Sequence, residues 1–407
     1  MRSPTTRSPV TRRALLGSAV AAAGLAGAAG TAVGQSTDTT VMTQNAYLGF
    51  DVAELLRAES LAEVREVTGG FLADIEPDLY AARADSIAAS VEAADADVLA
   101  LQEAVLLRRQ EPGDYGTESG EAAAEVVVDL LDLIRTALSE RGLDYAVAAE
   151  TVTNDFELPA ETDDGPVDLR LTDRNVVLVR SDRETADPVT ATYDAVLELP
   201  VPDSDLVSTH LSSASPRYRR QQAAELLDAL PDDRPVVLCG DLNSAPGAET
   251  YDLLTRSFAD PYTELRPEAD GHTCCQAKDL RNDDSLLDRR IDTLLYRGAV
   301  TPTAIDRVGH RPTDRTTAEI DGETVEVWPS DHAGVVGTFE LSASGSASAT
   351  PSPTARATGT ARPTTGTPST AGTPSTAAGA SGPGFGAGSA LLGWLLGAGA
   401  WLRRRTD

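Results

Sequence analysis

Cysteine and lysine are nearly missing from this chain of 407 residues, and each scarcity removes a class of protein. Only three cysteines occur, Cys239, Cys274 and Cys275. An odd count with two of them adjacent makes a poor disulfide framework, so a fold stapled by disulfides is not expected. No CxxC pair and no Cys/His cluster at zinc spacing is present, which leaves a structural zinc site without support. Lysine occurs once, at Lys278, and the 34 basic residues stand against 63 acidic ones, for a formal net charge of −29. That is a halophile's surface, kept hydrated in molar salt, where repulsion between charges is screened within about 3 Å. The charge thus describes the solvent better than the substrate, and in brine it does not exclude nucleic acid. A repeat of solenoid length is absent, and so is a serine or cysteine nucleophile motif.

What is there begins with two unusual ends. Residues 1–35 carry a basic start, Arg12-Arg13, and a weakly apolar run of alanine and glycine. This stretch resembles a twin-arginine export signal. Residues 342–382 are almost wholly Ser, Thr, Pro, Ala and Gly, too polar to offset chain entropy by burial, and read as a stalk. Residues 383–407 open on Pro383-Gly384-Phe385, continue through an apolar segment to Leu402 and end on Arg403, Arg404 and Arg405. This order resembles archaeal sorting tails cut after export and replaced by a lipid, with a permanent membrane anchor as the alternative. Together the ends predict an exported protein held at the cell surface by its C-terminus, or shed from it, with export machinery, a sorting enzyme and the membrane as partners.

Residues 39–341 are long enough for one large domain. Helical spacing is expected over Ala81 to Ala94 and over Glu125 to Leu138, where Val128, Leu131 and Ile134 would share a face. Apolar runs predict strands at Val98–Leu101, Val176–Val179, Ala195–Leu199, Leu206–Ser208, Val236–Cys239, Ile291–Tyr296 and Gly334–Phe339. A mixed α/β domain follows. Polar residues stand repeatedly at the ends of these runs: Gln102-Glu103, His210, Gly240-Asp241-Leu242-Asn243, Asp292, and Ser330-Asp331-His332. Strand ends from several segments meet at one sheet edge, where pockets with convergent polar groups form.

Each motif is weak alone. The ordered set Asn45, Glu103, His210, Asp241 with Asn243, Asp292, and Asp331 with His332 is not. In Thr43-Gln44-Asn45, Leu101-Gln102-Glu103, Ser208-Thr209-His210, Gly240-Asp241-Leu242-Asn243, Arg290-Ile291-Asp292 and Ser330-Asp331-His332 the chain resembles the endonuclease/exonuclease/phosphatase superfamily. The resemblance spans about residues 41–341 and is specific for the superfamily, not for a substrate.

It implies a four-layer α/β sandwich, two packed β-sheets flanked by helices, and a monomeric hydrolase of phosphate esters. Nucleic acid, a phospholipid head group and a small ester all stay open as substrates. Asn45 and Glu103, with Asp241, Asn243 and Asp331 near them, would hold Mg²⁺ or Mn²⁺, since hard cations favour oxygen donors. Asp241 would polarise the attacking water, Asn243 would donate to the phosphoryl oxygens, Asp292 would orient His332, and His210 would contact phosphate or assist the leaving oxygen. One departure stands out: abasic-site endonucleases carry an acid two residues after the early Asn, where this chain has Tyr47. His210 in its Thr-His-Leu context is nearer the sphingomyelinase and secreted deoxyribonuclease branches. Arg217, Arg219 and Arg220 with Gln222 could grip phosphate or start a helix, the Glu111–Gly120 loop could shape the entrance, and Cys239 is a small core residue. The alternative function is a surface binding or adhesion module that keeps the fold without the activity.

Overall fold

The computed structural model describes residues 19–24, 37–117, 120–183, 185, 189–192, 205–231, 234–320 and 322–341. Its first part supplies β1 (Ala19–Gly24), β2 (Thr37–Asn45), α1 (Ala53–Arg57), α2 (Leu61–Ala73), α3 (Pro77–Ala94) and β3 (Val98–Gln102). Next come β4 (Leu106–Gln110), β5 (Glu125–Asp129), α4 (Leu130–Glu140) and a long hairpin of β6 (Tyr145–Thr162) with β7 (Gly165–Arg180). They are followed by β8 (Val189–Thr192), β9 (Asp205–His210), α5 (Pro216–Ala229), β10 (Val236–Asp241), α6 (Glu249–Leu254), α7 (Pro261–Leu265) and β11 (Asp292–Arg297). The last are β12 (Val300–Val308), the small hairpin of β13 (Thr316–Ile320) and β14 (Glu323–Val327), and β15 (Gly334–Leu341).

Two sheets carry the fold. One runs β12-β15-β2-β3-β7-β4-β5 with β6 beside β7, and the other runs β11-β10-β9-β1-β8. Successive side chains of a strand point to opposite faces, and the apolar runs are continuous here because both faces are covered. Val98, Ala100, Val177 and Val179 pack with Leu206, Val237, Cys239 and Leu294 of the second sheet. Their neighbours Leu99, Leu101, Val176 and Leu178 pack with Phe71, Ile87, Val91 and Ile134 on the helices α2, α3 and α4. On the far side, Val207, Val236, Leu238 and Leu295 meet Ala223 and Leu226 of α5 and Leu254 of α6. Helix, sheet, sheet and helix therefore stack in the four layers expected.

Local signals set the helix ends. Ser60 caps α2 by accepting from the Glu63 amide, and Asp129 caps α4 by accepting from the Asp132 amide. Pro77 sits in the first turn of α3, which thus begins four residues before the expected Ala81. The helix expected over Glu125–Leu138 is corrected: its first residues form β5, paired with β4. Glu125-Val126-Val127-Val128 is a β-branched run suited to a strand, and the cap at Asp129 delays the helix to Leu130. Cys239 is buried between the sheets as expected, and burial pushes its thiol up to about 12.

Ala19–Gly24, inside the stretch read as an export signal, pairs antiparallel with both β9 and β8. The strand expected at Ala195–Leu199, the stalk and the sorting tail lie outside the described residues. Among the described residues, no helix is long and apolar enough to cross a membrane.

Candidate active site

Strand register assembles the site. In the first sheet β2 and β3 run parallel with Asn45 opposite Gln102, so Glu103 emerges beside Asn45. In the second, β9 and β10 run parallel with His210 opposite Asp241, and antiparallel β11 sets Asp292 opposite the same Asp241. β15 pairs with β2, Val335 opposite Thr43, which brings Asp331 and His332 to the same edge. Three non-glycine residues there have left-handed backbones, Tyr47 (φ 63), Glu103 (φ 56) and Asn243 (φ 48). Such conformations cost on the order of 1 kcal/mol or more each and persist only where neighbours enforce them. The enforcers are the Tyr47 amide donating to Asn45 Oδ1 at 3.0 Å, the Leu48 amide to Glu103 Oε2 at 3.0 Å, and the Asn243 amide to Asp241 Oδ1 at 2.7 Å.

The side chains converge on one cluster. Asn45 Nδ2 lies 3.0 Å from Glu103 Oε1 and 3.2 Å from Asp241 Oδ2. His210 Nε2 is 3.6 Å from Asp241 Oδ2 and 3.9 Å from Glu103 Oε1. His332 Nδ1 is 2.8 Å from Asp292 Oδ2 and 3.9 Å from Asp241 Oδ2, while its Nε2 is 3.9 Å from Asp331 Oδ1. Asn243 turns its amide to the Leu211 carbonyl at 2.9 Å, which ties it to the segment after His210.

Burial and charge tune these groups. Burial alone would hold the His332 imidazole neutral, but Asp292, Asp331 and Asp241 outweigh it and raise its pKa well above the usual value. Burial raises Asp292, with His332 opposing and Asp241 adding to the rise. Burial likewise pushes Asp331 up to about 7, against the pull of His332 and with the help of Glu103. The ion pairs that Glu103, Asp241, Asp292 and Asp331 make among the described residues are with His210 and His332, none with arginine or lysine. The buried Arg83 guanidinium also acts on Asp331 and Glu103, and Asp241, Asp292 and His332 offer ligand atoms within 4.8 Å of one another; oxygen donors gathered in this way fit a hard divalent cation such as the Mg²⁺ or Mn²⁺ expected from sequence.

Several neighbours were not legible as functional. Arg83 is fully buried and donates to the carbonyls of Ala46, Tyr47 and Pro329, joining the loop after Asn45 to the loop before Asp331. Its signal was an arginine within the apolar stripe of Ala84, Ile87 and Val91. Asp173 on β7 is buried and its carboxyl is raised by burial and by Glu103, with His210 opposing. The hydroxyl of Thr273 accepts from the Ile291 and Asp292 amides at 3.1 and 3.0 Å and so anchors the start of β11.

The arginine cluster resolves toward structure. Arg219 donates to the Ser212 carbonyl at 2.9 Å, Gln222 accepts from the Ser212 amide at 2.8 Å, Arg220 pairs with Glu249 at 2.6 Å, and Arg217 is exposed. The 111–120 loop is pinned to the β6–β7 hairpin by Gly113 donating to the Pro166 carbonyl at 2.7 Å and Asp114 to the Asp168 carboxylate at 2.6 Å. Cys274 and Cys275 are bonded to each other, a disulfide between neighbours that staples no distant segments.

The model of the Endonuclease/Exonuclease/phosphatase family matches residues 42–332. No curated protein matches the chain. Among solved structures, an endonuclease/exonuclease/phosphatase family protein from Bacteroides thetaiotaomicron is 16% identical, covers 75% of this chain and 98% of its own, and has a TM-score of 0.42. A mannosyl-6-phosphatase from the same organism is 14% identical over 74% of this chain and 99% of its own, with a TM-score of 0.41. D. rerio TDP2, solved with a single-strand DNA product, is 16% identical over 75% and 99%, with a TM-score of 0.38. With a family model that matches residues 42–332, well over half of the chain, the chain belongs to the endonuclease/exonuclease/phosphatase family.

Proposed function

We propose that this chain is an exported, divalent-metal-dependent hydrolase of phosphate esters. The observation that carries the reading is the convergence, within hydrogen-bond reach of Asn45, of Glu103 and Asp241, beside an imidazole held by Asp292. Glu103 and Asn45, with Asp241 and Asp331 nearby, would hold Mg²⁺ or Mn²⁺, which supplies Lewis-acid neutralisation of phosphate charge.

The rest of the chemistry belongs to the chain's own groups. Asp241 has Oδ1 tied to the Asn243 amide and Oδ2 accepting from Asn45 Nδ2 at 3.2 Å, and the second lone pair of Oδ2 can orient a water and take its proton as the water oxygen attacks phosphorus. Asp292 accepts from His332 Nδ1 and so turns Nε2 toward the reacting phosphate. A protonated His332, favoured by the surrounding carboxylates, donates to the phosphoryl oxygen on which negative charge accumulates. His210, within 4 Å of both Asp241 and Glu103, stands where it can donate to phosphate or to the departing oxygen. Water adds, the P–O ester bond breaks, and the proton lost by water is balanced by one gained by the leaving oxygen.

Export and surface attachment are supported by Arg12-Arg13 with its apolar run and by Pro383-Gly384-Phe385 with its basic end. The test is hydrolysis of plasmid DNA, RNA, sphingomyelin and bis-p-nitrophenyl phosphate in molar salt with Mg²⁺ or Mn²⁺, by wild type and Asp241→Asn. Hydrolysis that needs the cation and the carboxylate supports the reading and names the substrate class. A folded wild type inert on the whole panel favours the binding module instead.

A further inference from the structure

Beside the oxygen-rich site lies a cluster of different chemistry. The sulfurs of Cys274 and Cys275 and a ring nitrogen of His332 all lie within 4.8 Å of one another, although His332 is 57 residues beyond Cys275. Cys275 Sγ stands 3.9 Å from His332 Nε2. Backbone pairing holds this arrangement: Cys274 bridges to both Arg289 and His332, the Gln276 amide donates to the Asp331 carbonyl at 2.8 Å, and the Ala333 amide donates to the Thr273 carbonyl at 2.8 Å.

Two neighbouring groups suit a cation. Arg289 Nη2 is 3.2 Å from each sulfur and donates to both. Arg289 also pairs with Asp288 and its side chain is 58% exposed, so it can swing aside once an ion binds. The Asp292 carboxylate fixes His332 Nδ1 at 2.8 Å, the pairing by which a carboxylate orients an imidazole to offer its other nitrogen to a metal.

We propose that reduction of the Cys274–Cys275 disulfide uncovers a site of two thiolates and one imidazole, Cys274 Sγ, Cys275 Sγ and His332 Nε2, for a thiophilic divalent cation such as Zn²⁺, and that filling it silences the enzyme. Two sulfurs and a nitrogen with an open fourth position form a tetrahedral set that zinc accepts and magnesium does not. With a phosphine as reductant the S–S bond takes two electrons from phosphorus. Water supplies two protons to the sulfurs and its oxygen to the phosphine oxide; the two thiols lose those protons, and His332 gives up its Nε2 proton to solvent, as the metal–sulfur and metal–nitrogen bonds form. Binding removes His332 Nε2 from the phosphate, while the oxidised pair offers no thiolate and leaves the imidazole free. The inhibitory half rests on the role given to His332 above, and the binding half does not.

The test uses the exported full-length domain, oxidised or phosphine-reduced and desalted, with free thiols counted by alkylation and mass spectrometry, and with Cys275→Ser as the variant. Titration with Co²⁺ reads the site through thiolate-to-metal absorption, and Zn²⁺ titration of phosphodiesterase activity in Mg²⁺ reads the inhibition. Reduced wild type should show the absorption, and both oxidised wild type and reduced Cys275→Ser should lack it. Zn²⁺ should inhibit the reduced enzyme at concentrations about tenfold or more below those needed for the oxidised one. A folded, fully reduced wild type without thiolate absorption overturns the site. Absorption with equal Zn²⁺ sensitivity in both redox states overturns the inhibition. An enzyme inert on every ester in either state counts against the proposed function, and the cobalt band still decides the site.

Discussion

The two sheet edges that meet at the site are built in different ways. On the edge of the eight-stranded sheet, Glu103 and Asn45 are held by backbone amides, with Arg83 fastening the loops beneath them, and the Glu103 side chain keeps 18% of its surface exposed. On the edge of the five-stranded sheet, Asp241 and Asp292 are almost fully buried, at 2% and 1%, and face imidazoles, Asp241 near His210 and Asp292 bonded to His332, which reaches across from the segment before β15, while the Asn243 amide also holds Asp241. A partly exposed carboxylate anchored by amides suits an exchangeable, hydrated cation. Buried carboxylate and imidazole pairs suit proton transfer, because low dielectric strengthens each contact. The two edges are thus expected to divide the labour, one gathering charge and the other moving protons.

Breaking the pair that Asp292 makes with His332 across the two edges should have the largest effect. His332→Ala is expected to lower kcat/KM by about 10³-fold with cation affinity nearly unchanged, measured by steady-state kinetics across a Mg²⁺ titration. Glu103→Gln should act the other way, raising the half-saturating Mg²⁺ concentration at least about tenfold, with much of the rate restored by excess cation. An equal effect of both changes on rate and on cation requirement would erase the distinction between the edges.

Much of this contrast could be read before the fold was known, and the reason is geometric. Val98–Leu101 and Val236–Cys239 were legible as strands because burial on both faces makes them continuous apolar runs, and the acids ending them therefore announced a shared edge. The β6–β7 hairpin was legible only in its Val176–Val179 part. β6 exposes Val147 and Val152 and mixes polar residues throughout, so it lacks a clean alternation, and only the turn at Asp163-Asp164 marks it. Asp173 went unnoticed for the related reason that it precedes its apolar run instead of ending it. Arg83 was hidden among alanines on a helix, and the approach of Cys275 to His332 depends on register between segments far apart in sequence, which no local pattern carries.

The support beneath the edges should respond more mildly in rate and more in stability. Arg83→Met leaves the carbonyls of Ala46, Tyr47 and Pro329 without their buried donor and should lower unfolding free energy by about 3 kcal/mol in molar salt, measured by denaturant titration. Arg83→Lys should recover only part, because one ammonium cannot reproduce the planar fork.

The smallest expected effect has the opposite sign. Asp173 holds its proton to higher pH when folded than when unfolded, so its carboxylate weakens the fold once pH passes the folded value, and that penalty fades as pH falls through it. Asp173→Asn should therefore raise Tm near neutral pH by on the order of 2 °C and lose the advantage toward pH of about 4, while lowering activity through the lost charge beside Glu103 and His210. A fall in Tm at neutral pH would show that this carboxylate supports the fold and that the site carries no stability cost there.

The most direct measurement of the central claim is hydrolysis of bis-p-nitrophenyl phosphate in molar salt, before and after chelation and again after Mg²⁺ or Mn²⁺ is restored, for wild type and His332→Ala together. The wild type should lose activity on chelation and regain it with the cation, and the variant should stay near background although it still binds the cation by calorimetry. Activity indifferent to chelation, or a variant as fast as wild type, would contradict the assignment of one edge to the cation and the other to the proton.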